Sequence, residues 1–386
     1  MFHTLSPIAG TLLMALILLD VFMTVLYTRV GTGVISHYLS CLIWRVFRVI
    51  SAPLGRWRDQ VLAFCGPVML VTIVAVWMVG LACGAALIIW PALGTSIRAT
   101  NGGATPNDFA TPLYVAADSM STVGTSDLAP QTSAMRLFSG FNSFIGICFL
   151  TLTLTYLLEI YNALQHRNTF ALKLHTLSAE TGDAAEMIAL LGPDGRFDIG
   201  YQHLVDVASE MIAVKEAHHF YSALFFFRFR EPHYAVSRMA LVTLDAISLI
   251  KSGLDDEEYG WLKKSAAVEQ LWRGSMQLLT VLAAAFLPET LPHPKVQPFT
   301  SPVEQWEERY RAAIAKMEQA KVKTFDNPEE GAQIYIALRT KWDPYIGRLA
   351  EHMALDLRNI DRAMLQLGRD PALEQRSLVP SLHTAG

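Results

Sequence analysis

The chain has 386 residues, of which 52% are apolar and only 17% charged, with a formal net charge of −4. So small a charge excludes the strongly basic surface that nucleic-acid binding needs, and so apolar a composition excludes a wholly soluble protein. The charge is also unevenly placed: thirteen of the sixty-six charged residues lie in positions 1–160, and the first lysine is Lys173.

Taken in chain order, three stretches reach the ~20 apolar residues that a bilayer span needs. The first, Pro7–Thr28, lacks a basic segment before it and a small-residue cleavage site after it, so it reads as a retained helix and not a signal peptide. Asp20 lies in its middle, where an uncompensated charge costs at least about 2.5 kcal/mol. It is therefore expected to be neutral or paired inside a bundle, either as a gating or proton-sensing contact or as a hydrogen bond to a neighbouring helix. The second span is Val61–Leu93 and the third runs from Leu137 to about Leu164.

Between the first two spans, "SHYLSCLIWRVFRVISAPLGRWRD" places Arg45 and Arg48 in an apolar run flanked by Trp44 and Trp57. The pattern fits an amphipathic helix lying in the membrane interface; arginines three apart also suit a fragment of voltage sensor. Five arginines fall in Arg29–Asp59 against two in Gly94–Arg136, so the first loop and the C-terminal half are expected on the cytoplasmic side, with the N-terminus outside. Cys41, Cys65, Cys83 and Cys148 all sit in or beside apolar segments without a C-x-x-C, as small buried residues do.

The outer loop contains "NDFATPLYVAADSMSTVGTSDLAP", residues 107–130: a cap-like Asn107 or Asp108, about ten helix-compatible residues, then STVG and a turn ending in Pro130. A half-helix followed by extended backbone is tolerated at membrane depth only where protein or a water-filled cavity surrounds it, so the loop is expected to be re-entrant.

This region resembles the pore of the tetrameric potassium-channel family, whose signature is threonine, valine, glycine, tyrosine, glycine, then aspartate and a proline a few residues on. Thr122, Val123, Gly124, Asp127 and Pro130 match, "TPLYVAADSMS" matches the pore helix, and "FNSFIGICFLTLTLTYLLEIY" is similar to the inner helix, with Gly146 at the family's bending position. The likeness covers about Val61–Gln165 and leaves out the first span and the polar half. It implies a homotetramer around one axis, in which rings of backbone carbonyls replace the water shell of a permeant K+ ion. Glycines in the filter let successive carbonyls point inward, and Thr122 hydroxyls add a ring at the cavity end.

The family's tyrosine is Thr125 here and its second glycine is Ser126. In the family that tyrosine is tied to aromatic residues of the pore helix, and Val115 stands at one of those positions, so both ends of the brace are missing. Keeping a left-handed torsion at Ser126 costs roughly 1–2 kcal/mol per chain, which favours a rearranged upper filter. Two readings stay open: hydrogen bonds from Thr125 and Ser126 preserve potassium preference, or a wider outer filter passes Na+ as well as K+.

By the same resemblance, Asp127 supplies four carboxylates at the outer mouth, raising the local cation concentration. Asp118 falls where some members carry an acid that shares a proton with the outer aspartate, an arrangement that raises one of the two pKa values. Glu159 is placed to form a ring at the inner mouth or to pair with a basic residue below. On the inner helix Leu150, Leu154 and Leu158 recur every four residues and can converge as a dewetting gate, a spacing that ordinary packing also produces; Thr151 and Thr155 are rivals for the pore-facing positions.

From Leu172 to Leu367 apolar residues recur at helical intervals, and "PETLPHPKVQPFTSP", residues 288–302, divides this half with five prolines. "LLGPDGRFDIG", residues 190–200, lacks the strand and helix of a phosphate-binding loop and reads as a turn. His218, His219 and His233 lack the spacing of a metal site, the aromatic run "FYSALFFFRFREPHY" reads as a helix–helix core or subunit interface, and no nucleophile or base constellation suggests an enzyme or a cofactor.

The expected protein is an all-α membrane protein with three transmembrane helices and a re-entrant pore helix and filter per chain, followed by an all-helical cytoplasmic domain. Its parts are residues 1–60, the first helix and interfacial helix; 61–165, the pore domain; 166–370, the cytoplasmic domain; and 371–386, a disordered tail. The expected function is a cation channel in the plasma (inner) membrane whose partners are its own copies and the lipid bilayer. The alternative is a non-conducting membrane sensor or scaffold that keeps the pore architecture.

Overall fold

A computed structural model describes residues 2–27, 33–106, 108–121, 127–287, 303–355 and 360–361. The chain forms two compact units. The first comprises Met1–Asn162 with the short segment Phe220–Phe227; the second comprises Ala163–His219 and the chain from Arg228 onward.

In the first unit, helix α1 (Phe2–Val21) ends in a π-helical turn at Phe22–Leu26 and is followed by α2 (Val34–Ser51), the short α3 (Arg58–Ala63) and α4 (Cys65–Ile89). Helices α1 and α4 meet along a seam of small residues. A Cβ at Gly10 would strike the carbonyl of Gly84, one at Gly84 would strike Met14, and one at Gly80 would strike Ile17. Gly80 and Gly84 are four apart on one face of α4, the spacing that lets membrane helices approach closely where lipid removes any hydrophobic drive between them.

After α4 the chain turns through β1 (Ile97–Ala99), makes the 12-residue α5 (Ala110–Ser121), pairs β2 (Leu128–Pro130) antiparallel with β1, and enters α6 (Ser133–Leu177). The small sheet is a departure from the purely helical expectation. Helix α6 also runs beyond the expected end near Leu164: at 1.5 Å per residue its 45 residues extend about 67 Å, more than twice the ~30 Å hydrocarbon core.

Among the described residues, four helical stretches are long and apolar enough to cross a membrane, one more than expected. The additional one contains α2, whose Arg45 and Arg48 are its charged residues. By length and composition it can span; by its segregation of polar and apolar residues it suits the interface equally. The segment Phe220–Phe227, part of the aromatic run, packs within the first unit: Phe226 lies 6.0 Å from Trp44, Phe227 lies 6.1 Å from Tyr161, and Tyr221 lies 6.3 Å from Tyr156, ring centre to ring centre.

The second unit is built on α9 (Val236–Gly253), which is buried along almost its whole length, with α7 (Ala184–Leu191), α8 (Asp198–Phe220), α10 (Asp256–Lys263), α11 (Ala266–Phe286), α12 (Val303–Gln319) and α13 (Pro328–His352). Residues 190–200 form the expected turn, a single 3-10 turn at Pro193–Gly195 between α7 and α8. Helix α13 stops sooner than its periodicity predicts, at His352, where Ala354 takes a left-handed torsion of φ 53°. The proline-rich stretch 288–302 and the tail 371–386 lie outside the described residues.

Polar residues close the core of this second unit. Asp245 on α9 is fully buried and accepts from the guanidiniums of Arg309 and Arg339 (3.1 Å) and from the hydroxyl of Tyr335 (2.5 Å). Asp361 accepts from the same two arginines at 2.8 and 2.6 Å, and the Arg339 guanidinium lies over the rings of Trp306 and Trp342. Burial alone would lower the Arg309 pKa, but the carboxylates of Asp245 and Asp361 override it and hold the guanidinium charged.

Candidate functional site

Helix α5 begins at a side-chain cap. The Asp108 carboxylate accepts from the backbone N–H of Thr111 at 2.9 Å and from its hydroxyl at 2.5 Å, as a cap does, while Asn107 lies outside the described residues. These bonds, the hydroxyl's first, hold the Asp108 carboxyl below the usual carboxylate range. The helix ends at Ser121, one residue before the motif; Thr122, Val123, Gly124, Thr125 and Ser126 lie outside the described residues.

The far side of the motif is fixed to the loop after α4. Ile97, Arg98 and Ala99 pair with Pro130, Ala129 and Leu128. Beyond the sheet, Thr100 donates both its backbone N–H (2.9 Å) and its hydroxyl (3.1 Å) to the Asp127 carbonyl, and the N–H of Gln131 donates to Ser96 (2.8 Å). The run Asp127–Gln131 is thus tied at both ends, while the Asp127 side chain is exposed.

Asp118 lies on α5 and lines a cavity of about 410 Å³ together with Val115, Ile97, Leu128, Phe138 and Ser143. Val115 is the position that carries an aromatic ring in the potassium-channel pattern, and open space stands beside it here. A second, mostly apolar cavity of about 580 Å³ lies below α5, lined by Val74, Met78, Ala117, Met120, Gly146 and Leu150 among others.

Helix α6 presents two faces. Ile145, Phe149, Tyr156 and Ile160 are buried, whereas Leu150, Leu154 and Leu158 are 69%, 58% and 56% exposed in the single chain. Thr151, Thr155 and Glu159 are exposed on the same side, so leucines and threonines share it. The two threonine hydroxyls donate back to the Ile147 and Thr151 carbonyls, each at 3.0 Å, and are spent within the helix.

Gly146 lies inside an unbroken helix and faces the end of α5, where a Cβ would strike the backbone of Met120. Sequence reasoning missed its neighbours: Asn142 Nδ2 donates to Ser119 Oγ (2.6 Å) and to the Ala116 carbonyl (3.2 Å), and Ser143 Oγ donates to the Ser119 carbonyl (2.7 Å). An amide in the middle of the apolar run "LFSGFNSFIG" was the available signal. Among the described residues, no three His, Cys, Asp or Glu side chains converge to hold a metal ion.

Residues 68–162 match the model of a protein family described as Ion channel, whose pore is of the two-span potassium-channel type. The chain is also similar to an uncharacterized membrane protein, YdjJ, of Bacillus subtilis (strain 168): 27% identical over 253 residues, covering 65% of this chain and 71% of the relative. No solved structure matches it.

Proposed function

From an ion-channel segment at residues 68–162 we propose a homotetrameric channel of the plasma (inner) membrane that passes monovalent cations, K+ with a modest preference over Na+. The observation that carries this reading is the placement of α5: a capped half-helix between two membrane-long helices, ending one residue before Thr122. Its C-terminal end carries partial negative charge, which favours a cation.

In this reading four copies of Thr122–Ser126 form the filter. Thr122, Val123 and Gly124 keep the family's residues and supply the better-preserved ion sites, whereas Thr125 and Ser126 depart from the family and discriminate less between K+ and Na+. Four Asp127 side chains concentrate cations outside, and Glu159 does so at the inner mouth. Leu150, Leu154 and Leu158 leave one side of α6 apolar and uncovered within the single chain, a side that other copies, a constricted pore or lipid would each satisfy. Leu150, Leu154 and Leu158 form the gate, and the chain after α6 sets its position from the cytoplasm.

The test is the reversal potential of the purified full chain in planar bilayers with K+ on one side and Na+ on the other. A potential displaced from zero toward the K+ equilibrium value is expected, and Gly124→Asp should abolish the current while the tetramer persists. Current that survives Gly124→Asp, or a protein silent across pH and voltage, would overturn the channel and favour a sensor or scaffold.

A further inference from the structure

The last carbonyls of an α-helix lack backbone partners within it; near the end of α5 the Asp118 carbonyl accepts from the Ser121 hydroxyl at 3.1 Å, and the carbonyls of Ser119 and Met120 lie against α6. Helix α6 takes up this end of α5. The Ser143 hydroxyl donates to the Ser119 carbonyl at 2.7 Å. Asn142, fully buried, donates at 2.6 Å to Ser119 Oγ, which itself donates to the Ala116 carbonyl at 2.9 Å. One turn further along α6, Gly146 gives the Met120 carbonyl the room that any Cβ would occupy.

We infer that Asn142 and Ser143 are positioning residues that tie the base of the filter to the inner helix, with Gly146 as their contact point and not a free hinge. The inference rests on the channel reading. Ser119 and Met120 stand three and two residues before Thr122, so a shift of their carbonyls moves the first ring of filter oxygens. Helix α6 is continuous through this contact. Bending it at Gly146 would drag the Met120 backbone, so a motion of α6 reaches the filter directly through these bonds. Asn142 is fully buried, so its amide cannot leave these partners without losing a hydrogen bond.

The experiment is a double-mutant cycle on the full chain, with Asn142→Leu, Ser119→Ala and the pair, read as the K+/Na+ permeability ratio in planar bilayers with tetramer assembly checked on each sample. Asn142→Leu is expected to change the ratio about fivefold, the weight of one buried hydrogen bond, and Ser119→Ala should add little in its background. Ser143→Ala should also change the ratio, while Ser143→Thr, which keeps the hydroxyl, restores it. These serine variants carry the test should Asn142→Leu not fold. Unchanged ratios in assembled tetramers, or fully additive effects, overturn the tie. A wild-type protein without current defeats the channel reading instead, and the same cycle read on thermal unfolding in detergent then decides: additivity there overturns the tie independently.

Discussion

Asp20 shows how one side chain in an apolar helix can organise its surroundings. Its carboxylate accepts from the N–H groups of Ile35 (2.7 Å) and Ser36 (3.3 Å), from the Ser36 hydroxyl (2.5 Å) and from Trp77 Nε1 (2.7 Å). The first two belong to the first turn of α2, whose N–H groups have no helical partners, so α1 supplies the cap that α2 lacks. Trp77 in turn lies edge-on to Phe149 of α6, with ring centres 6.4 Å apart. Asp20→Ala would leave several buried neutral donors unpaired at once, each costing about 1–3 kcal/mol, and the thermal unfolding of the full chain in detergent should register a loss of roughly 3–5 kcal/mol. Trp77→Phe keeps one aromatic ring but removes the donor and part of the buried indole, for roughly 2 kcal/mol. Equal losses in the two variants would mean that ring packing, and not the carboxylate, holds the three helices. That Asp20 must be satisfied inside a bundle was legible from its place in the first span. Its partners were not, because Trp77 stands 57 residues away and only the packing of α1 on α4 brings it near.

At the scale of elements, the pairing of β1 with β2 ties the chain beyond the motif to the loop after α4. Here backbone pairing and the two hydrogen bonds from Thr100 fix the first residue after the motif. Thr100→Val removes one donor and Thr100→Pro removes both. Amide exchange in the segment Leu128–Gln131 should therefore quicken severalfold in the first and further in the second, because opening is governed by the local stability of the hydrogen-bonded unit. The same rate in all three proteins would show that the sheet needs no help from Thr100. The long apolar helices and the half-helix α5 were legible in the sequence, since length and hydropathy alone define them. Three-residue strands without alternation were not: Ile97–Ala99 has no pattern of its own and exists because Leu128–Pro130 is beside it. Likewise Gly146 was legible as a special position, but its role depends on the Met120 backbone, which the spacing of α6 alone does not place.

For the whole molecule, an apolar part of few charges is joined to a polar part of many helices. The polar half holds its charges in two different ways. Asp245, Arg309, Arg339 and Asp361 are buried as mutually paired charges, with Arg339 Nε left without a hydrogen bond among the described residues, whereas His218 on α8 is buried as a neutral ring, its Nδ1 2.9 Å from the Val214 carbonyl. Burial first, and then the positive charge of Arg167, depress its pKa to about 3 from an ordinary value near 6.5. Above pH 6.5 the ring is neutral whether the chain is folded or unfolded, so it makes stability no function of pH. As pH falls below 6.5 the unfolded chain takes up a proton that the folded ring refuses, and stability falls by up to about 1.4 kcal/mol per pH unit until the folded pKa is reached. The carboxylates whose pKa values the fold lowers, Asp255 through its bonds to the Glu258 N–H and Lys323 and Glu269 through Arg273, begin to contribute only nearer their own ordinary range below pH 5. The window from pH 6.5 to 5 therefore excludes these carboxylates, and the comparison with His218→Phe separates His218 from the other histidines. Thermal unfolding of the full chain in detergent should show a melting temperature that is level above pH 6.5 and declines through this window, and His218→Phe should flatten the decline. A slope of equal size in the variant would place the acid-sensitive group elsewhere in the second unit.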